Sequence, residues 1–141
     1  MKERATPKRL TDLELQIMQV VWQANEEALT VRAVVERLED AGRPLAYTTV
    51  QTMMGILAKK GALEVGPGPG RAHVYRPRWS RDEATTSMTE DFVTRLFGGE
   101  ARPLVAHLVE KERLGRDELQ ELKALIEREL GEEEDGKGGP R

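Results

Sequence analysis

Residues 46–61 read A-Y-T-T-V-Q-T-M-M-G-I-L-A-K-K-G, and no other stretch limits the fold so tightly. On a helix of 3.6 residues per turn, Val50, Met53, Met54 and Leu57 share one face, the i, i+3, i+4, i+7 spacing of a buried stripe. The opposite face carries Tyr47 at its edge, then Thr48, Gln51, Thr52, Gly55 and Lys59. A face that only meets water usually mixes Glu and Lys at i, i+4 spacing. This one holds no acid. Its hydroxyls and amide are groups that pair with base edges and phosphates. Lys59 and Lys60 follow at the helix C-terminus, and Gly61 suits a left-handed cap. The pattern predicts a DNA recognition helix; an ordinary amphipathic core helix is the alternative.

The flanking chain supplies a setting for such a helix. Residues 1–9 are charged and aperiodic and read as a flexible arm, with Lys2, Arg4, Lys8 and Arg9 within reach of phosphate. Thr11 with Glu14 forms a capping box, opening a helix whose stripe is Leu13, Ile17, Val20 and Val21 and which fades at Gln23-Ala24-Asn25. Thr30 caps a second helix carrying Val31, Val34, Val35 and Leu38, ended by Gly42-Arg43-Pro44. Two helices joined by a short Gly/Pro turn, the second with a polar face, make a helix-turn-helix. Leu63 to Val65 alternates as a strand, Gly66 to Gly70 is a turn, and Arg71 to Arg76 alternates again. That hairpin is predicted to be a wing, with Arg71 and His73 near its tip over the DNA backbone; a solvated hairpin is the alternative. Arg43, Lys59 and Lys60 complete the set of expected backbone contacts.

The rest of the chain reads as helices without a core of their own. Ser80 with Glu83 is another capping box, before a stripe of Met88, Phe92, Val93 and Leu96 that Gly98-Gly99 breaks. Pro103 suits the first position of a helix bearing Leu104, Val105, Leu108 and Val109. A last helix, from near Gly115, carries Leu119, Leu122, Ile126 and Leu130. Three short helices bury such stripes poorly on one another. A partner copy supplying the other half of the core is the economical solution, so residues 80–130 are predicted to dimerise through Phe92, Leu96, Leu104, Val105, Leu108, Val109, Leu119, Leu122 and Ile126. Residues 131–141 are Glu/Gly/Lys-rich and read as a disordered tail. The expected class is mainly α with one β-hairpin: an arm (1–9), a winged-helix domain (10–79), a helical dimerisation domain (80–130) and the tail.

Composition narrows the function. The net charge of −3 is uneven: residues 1–79 hold 12 Lys+Arg against 9 Asp+Glu, and residues 80–141 hold 10 against 16. A basic half suits a polyanion, and an acidic half keeps clear of it. Cysteine is absent, which excludes disulfides and thiol chemistry. No apolar run approaches the roughly 18 residues of a membrane span, and the charged Met1-Lys2-Glu3-Arg4 is no signal peptide, so a cytoplasmic protein is expected. Two histidines, His73 and His107, have no metal-ligand partner at i+4 and no nucleophile motif beside them. Neither an enzyme, nor a cofactor, nor a metal site is expected.

The segments L-T-D-L-E-L-Q-I-M-Q-V-V-W (10–22), Y-T-T-V-Q-T-M (47–53), L-A-K-K-G (57–61) and V-Y-R-P (74–77) resemble the penicillinase-repressor family of the BlaI/MecI type. So do F-G-G (97–99), L-V-E-K-E (108–112) and D-E-L-x-E-L (117–122), so the likeness runs from about residue 10 to 130. The resemblance implies a dimeric winged-helix repressor of bacterial operons, often those governing β-lactam resistance. It implies binding to TACA/TGTA-type dyads on duplex DNA, and inactivation by proteolysis when a membrane-bound sensor detects antibiotic. The family's contacting positions match Thr48, Thr49, Gln51 and Thr52, beside Tyr47. Gln51 stands where some members carry Arg; Gln pairs most naturally with adenine and Arg with guanine, so a shifted operator preference is implied. The family's Asn-Phe cleavage bond falls on His107-Leu108, and Gly115 stands where a Ser cap is common. A copper-responsive branch carries C-terminal cysteines that this chain lacks. The alternative function is a winged helix used for protein contacts without sequence-specific DNA binding.

Overall fold

The computed structural model describes residues 9–25 and 27–136, apart from the side chains of 133–136. Lys2, Arg4 and Lys8 of the expected arm lie outside the described residues, as do residues 137–141 of the expected tail. The elements run α1 (Asp12–Gln23), α2 (Val31–Asp40), α3 (Tyr47–Lys60), β1 (Leu63–Pro67), β2 (His73–Pro77), α4 (Arg81–Phe97), α5 (Ala101–Lys111) and α6 (Arg116–Gly136). They form two compact units, one ending at Phe92 and one beginning at Val93. The division falls inside α4, not at the Pro77–Ser80 junction where the sequence changes character. The first turns of α4 belong to the first unit because Ala84 is buried there and Met88 packs against its core.

In the first unit the helix ends form where short-range bonding dictates. Thr11 Oγ1 accepts from the Glu14 amide at 3.2 Å while Glu14 Oε1 accepts from the Thr11 amide at 2.8 Å. Thr30 Oγ1 accepts from the Ala33 amide at 3.1 Å, and Ser80 and Glu83 make the same reciprocal box as Thr11 and Glu14. Such caps satisfy amides that have no partner within the helix. Gly61 ends α3 at φ +93°, where a Cβ would be strained.

The core of this unit interleaves Ile17, Met18 and Val21 of α1 with Val34 and Leu38 of α2 and Val50, Met54 and Leu57 of α3, all essentially inaccessible. Each such side chain contributes about 1.5–3 kcal/mol by leaving water. The α1 stripe differs from expectation at its start: Leu13 is 36% exposed, whereas Glu14 is only 3% exposed. A carboxylate rarely sits inside, and this one does because Lys60 meets it there.

The hairpin pairs Leu63 with Pro77, Val65 with Tyr75 and Pro67 with His73 in antiparallel register. Its strands therefore extend through Gly66-Pro67, which the sequence assigns to the turn, and Arg71 sits in the turn itself. Gly68 fits a close approach: a Cβ there would lie 2.7 Å from Val74 Cγ1 and 3.1 Å from the Ala72 carbonyl oxygen, so a larger residue requires the hairpin to shift. Leu29, ahead of α2, adds a bridge on the other edge of β2, with Leu29 and Tyr75 exchanging amide bonds at 3.0 and 2.8 Å. Beyond the hairpin, Trp79 is fully buried, and its carbonyl accepts from Trp22 Nε1 at 2.9 Å. A wing held at Leu29, Tyr75 and Trp79 is anchored in the same core as α3.

The second unit comprises the end of α4, α5 and α6. Gly98 and Gly99, at φ +64° and +89°, close α4, with the Gly99 amide donating to the Val93 carbonyl at 3.0 Å. Helix α5 opens at Ala101, so Pro103 is its third residue; a first-turn position tolerates Pro because its amide has no intrahelical acceptor. Helix α6 continues to Gly136, past residue 130 where the sequence predicts disorder. Glu118 Oε1 accepts from the Gly115 amide at 2.9 Å, half of a capping box in which glycine supplies no hydroxyl. None of the described residues from Val93 onward is buried. Leu96, Val105, Leu108, Val109, Leu119, Leu122 and Ile126 are exposed, Ile126 by 54%, while Leu104 is half-buried; Phe92, at the end of the first unit, is exposed too.

Candidate nucleic-acid interface

The buried stripe of α3 fixes which way its other face looks. With Val50, Met54 and Leu57 at zero exposure, the helix turns Thr48, Gln51 and Thr52 outward, and all three are exposed. Tyr47 is 41% exposed and Thr49 half-buried. At its start, Ala46 makes no side-chain cap, so no side chain there claims the first amides of α3. These amides carry the positive end of the helix dipole toward whatever the face meets.

An open cleft of about 510 Å³ joins this face to the wing. It is lined by Thr30, Val31 and Arg32 of the α2 start, Tyr47 and Gln51 of α3, and Arg71, Ala72, His73 and Tyr75 of the hairpin. Four expected site residues (Tyr47, Gln51, Arg71 and His73) thus meet in one concavity, although they come from two elements separated by the length of β1. The arm of Leu29–Tyr75 pairing explains the meeting: it ties the hairpin to the chain entering α2, and α2 carries α3.

Arg32 is not among the site residues expected from the sequence, and Thr30 is expected there only as a helix cap. Arg32 lies over the Tyr47 ring at 5.5 Å from its centroid, a cation–π contact that orients the tyrosine. The signal available was small: Arg32 is the one basic residue in the first turn of α2, on the side away from Val34 and Leu38.

The expected backbone contacts divide. Arg71 and His73 are exposed at the cleft, and Lys59 is exposed near the end of α3. Arg43 lines a different groove, with Gln16, Gln19 and Gln23 of α1. Lys60 is turned inward: its Nζ donates to Glu14 Oε1 at 2.6 Å and to the Arg9 carbonyl at 3.2 Å. Its expected role on phosphate is therefore corrected, since its charge is committed to a nearly buried carboxylate. Burial alone would raise the Glu14 pKa, but the hydrogen bond from Lys60, with those from Thr11, outweighs it and holds the carboxyl below its ordinary value. This pair clamps the C-terminus of α3 to the first turn of α1.

Among the described residues no cluster of three or more His, Cys, Asp or Glu is arranged to hold a metal ion, and no helix is long and apolar enough to cross a membrane. The arrangement offers donors, a ring and cations on one open face, the equipment of recognition.

Residues 10–128 match the family model described as penicillinase repressor. The chain belongs to that family. The family is one of transcriptional repressors, not of enzymes. This repressor is 41% identical, over 125 residues and 87% of each chain, to the transcriptional regulator BlaI of Mycobacterium tuberculosis. It is also similar to the solution structure of the DNA-binding domain of the repressor BlaI, at 30% identity, covering 57% of this chain and 93% of that one with a TM-score of 0.46. A structure of hsRosR-S4 shares the fold at 16% identity, with 91% of this chain and 96% of that one covered and a TM-score of 0.53.

Proposed function

We propose that this repressor silences its target by binding an operator dyad as a homodimer, each protomer laying α3 in a major groove with its wing on the flanking backbone. One observation carries the reading: Tyr47 and Gln51, on the exposed face of α3, line the same cleft as Arg71 and His73 of the wing. A helix in the groove then reads base edges through Gln51, with Thr48 and Thr52 beside it, while the wing and the Lys59 region meet phosphate. Membership of a repressor family supports it independently. The exposed apolar residues of α5 and α6 supply the argument for a second copy, because an isolated chain leaves Leu108, Leu122 and Ile126 in water. Two half-sites about 34–36 Å apart, or a small multiple of that, would be engaged together.

Relief of repression is assigned to the second unit. The His107–Leu108 bond lies within α5, so a protease must open that helix to reach it, and the cut would separate the winged helix from α6. Loss of the dimer then suffices, since a half-site held alone is weak at physiological salt.

The decisive experiment is selection of binding sites from random duplex DNA by the purified protein, followed by titration of the winner at several salt concentrations. The expected outcome is a dyad bound with affinity falling about 0.9 log units per log unit of salt for each phosphate neutralised. Recovery of no enriched sequence, with salt-independent binding, would sink the proposal.

A further inference from the structure

We propose that Arg32, on the first turn of α2, is a DNA-backbone ligand that holds a phosphate at the mouth of the cleft, opposite the wing's Arg71. The inference rests on the DNA-binding reading above and adds to it a residue and an element, α2, that the recognition-helix pattern does not contain. Three observations carry it. First, Arg32 and Arg71 line the same cleft from different elements, and among the described residues no acidic side chain lines it with them. Second, no carboxylate among the described residues pairs with Arg32 or with Arg71 across the cleft, whereas Arg37 pairs with Glu27, Arg9 with Asp91 and Lys60 with Glu14. A cation left without its counter-charge beside a recognition face is what an incoming polyanion requires. Third, the Arg32 guanidinium carbon lies over the Tyr47 ring at 5.5 Å from its centroid, a cation–π contact that favours placing the charge beside the recognition face. A guanidinium carries five donors in a planar fork, from which a phosphate accepts in bidentate fashion.

Geometry favours phosphate over a base. With α3 in the groove, the helix before it crosses the backbone strand, and the α2 start carries the positive end of its dipole to that strand. Thr30 Oγ1 accepts from the Ala33 amide, and Arg32 is the charged donor of this turn.

The test compares the full-length protein with Arg32→Gln and Arg32→Lys on two duplexes of equal length, one carrying a TACA/TGTA dyad and one of random sequence, over a range of salt. Arg32 is exposed, so the variants are expected to melt at the wild-type temperature, which thermal melts check first. For Arg32→Gln the expected result is about tenfold weaker binding to both duplexes, with the slope of log affinity against log salt shallower by about 0.9 per bound protomer. Arg32→Lys keeps the slope but not the full affinity, because it keeps the charge and loses the fork. A wild-type slope in Arg32→Gln, whether or not affinity falls, overturns the assignment: a residue that merely props Tyr47 changes affinity without changing the number of ions released. A loss confined to the dyad duplex also overturns it. If wild-type protein binds neither duplex at low salt, the DNA-binding reading fails as a whole, an outcome distinct from failure of Arg32 alone.

Discussion

The two units are written in the same helical code and end in opposite states. In the first, stripes on α1, α2 and α3 meet one another and the hairpin, and Ile17, Val34, Met54 and Leu57 lose all contact with water. In the second, stripes of the same spacing on α5 and α6 leave every described side chain at least partly exposed. What separates them is closure. Three helices, the β-hairpin and the buried Trp79 enclose a volume; the end of α4 with α5 and α6 does not. A stripe that a chain cannot bury in itself is a request for a partner, and here the request falls in the acidic half of the sequence.

The sharpest way to break this comparison is to charge the open face. Ile126→Asp or Leu122→Asp is expected to abolish self-association by sedimentation equilibrium and to weaken dyad binding by about 10²–10⁴-fold through lost bivalency. The melting of the first unit should stay unchanged. A variant that stays associated, or a wild type that sediments as a monomer at micromolar concentration, removes the partner from the account. In the closed unit the reverse holds: Leu57→Ala should cost about 2–5 kcal/mol in chemical denaturation, with no direct effect on association.

The Glu14–Lys60 clamp is the next largest expected effect. Lys60→Met leaves a carboxylate in the interior without its cation and should cost about 3 kcal/mol. Because the folded-state pKa of Glu14 is lowered, its stabilising contribution is present at neutral pH and is lost as pH falls through the carboxylate range. Denaturation series of wild type and Glu14→Gln should therefore differ most at neutral pH and converge in acid; a gap that widens on acidification would contradict the sign. Smaller still is Gln51→Ala, expected to lose about 1–3 kcal/mol on the selected dyad and to relax preference at one base pair, as measured by competition with single-substituted duplexes. Equal loss on random DNA would recast Gln51 as a backbone contact.

Much of this was legible in the residues alone, and the reason is range. Thr11, Thr30, Ser80 and Gly61 mark helix ends through bonds spanning three or four residues, and the period of Val50, Met54 and Leu57 orients α3 without reference to anything else. The uncommitted face of α3, and with it the candidate site, follows from that orientation. What sequence could not supply were pairings between distant positions. Glu14 and Lys60 are 46 positions apart, and periodicity alone puts Leu13 inside in place of Glu14. No local pattern marks Trp79 for the core, yet it is fully buried and its carbonyl accepts from Trp22, 57 positions away. Leu29 shows no strand pattern, because a single bridge on an existing edge needs only one residue and no alternation.

Local hydrogen bonding and hydrophobic period are properties of neighbouring residues, so the chain alone determined its helices, its hairpin and the bare face of α3. Which cations remain available is a property of space. Tertiary packing withdrew Lys60 to an internal carboxylate and brought Arg32 over Tyr47 beside the wing, because the energy of a charge depends on what surrounds it and not on where it stands in the chain.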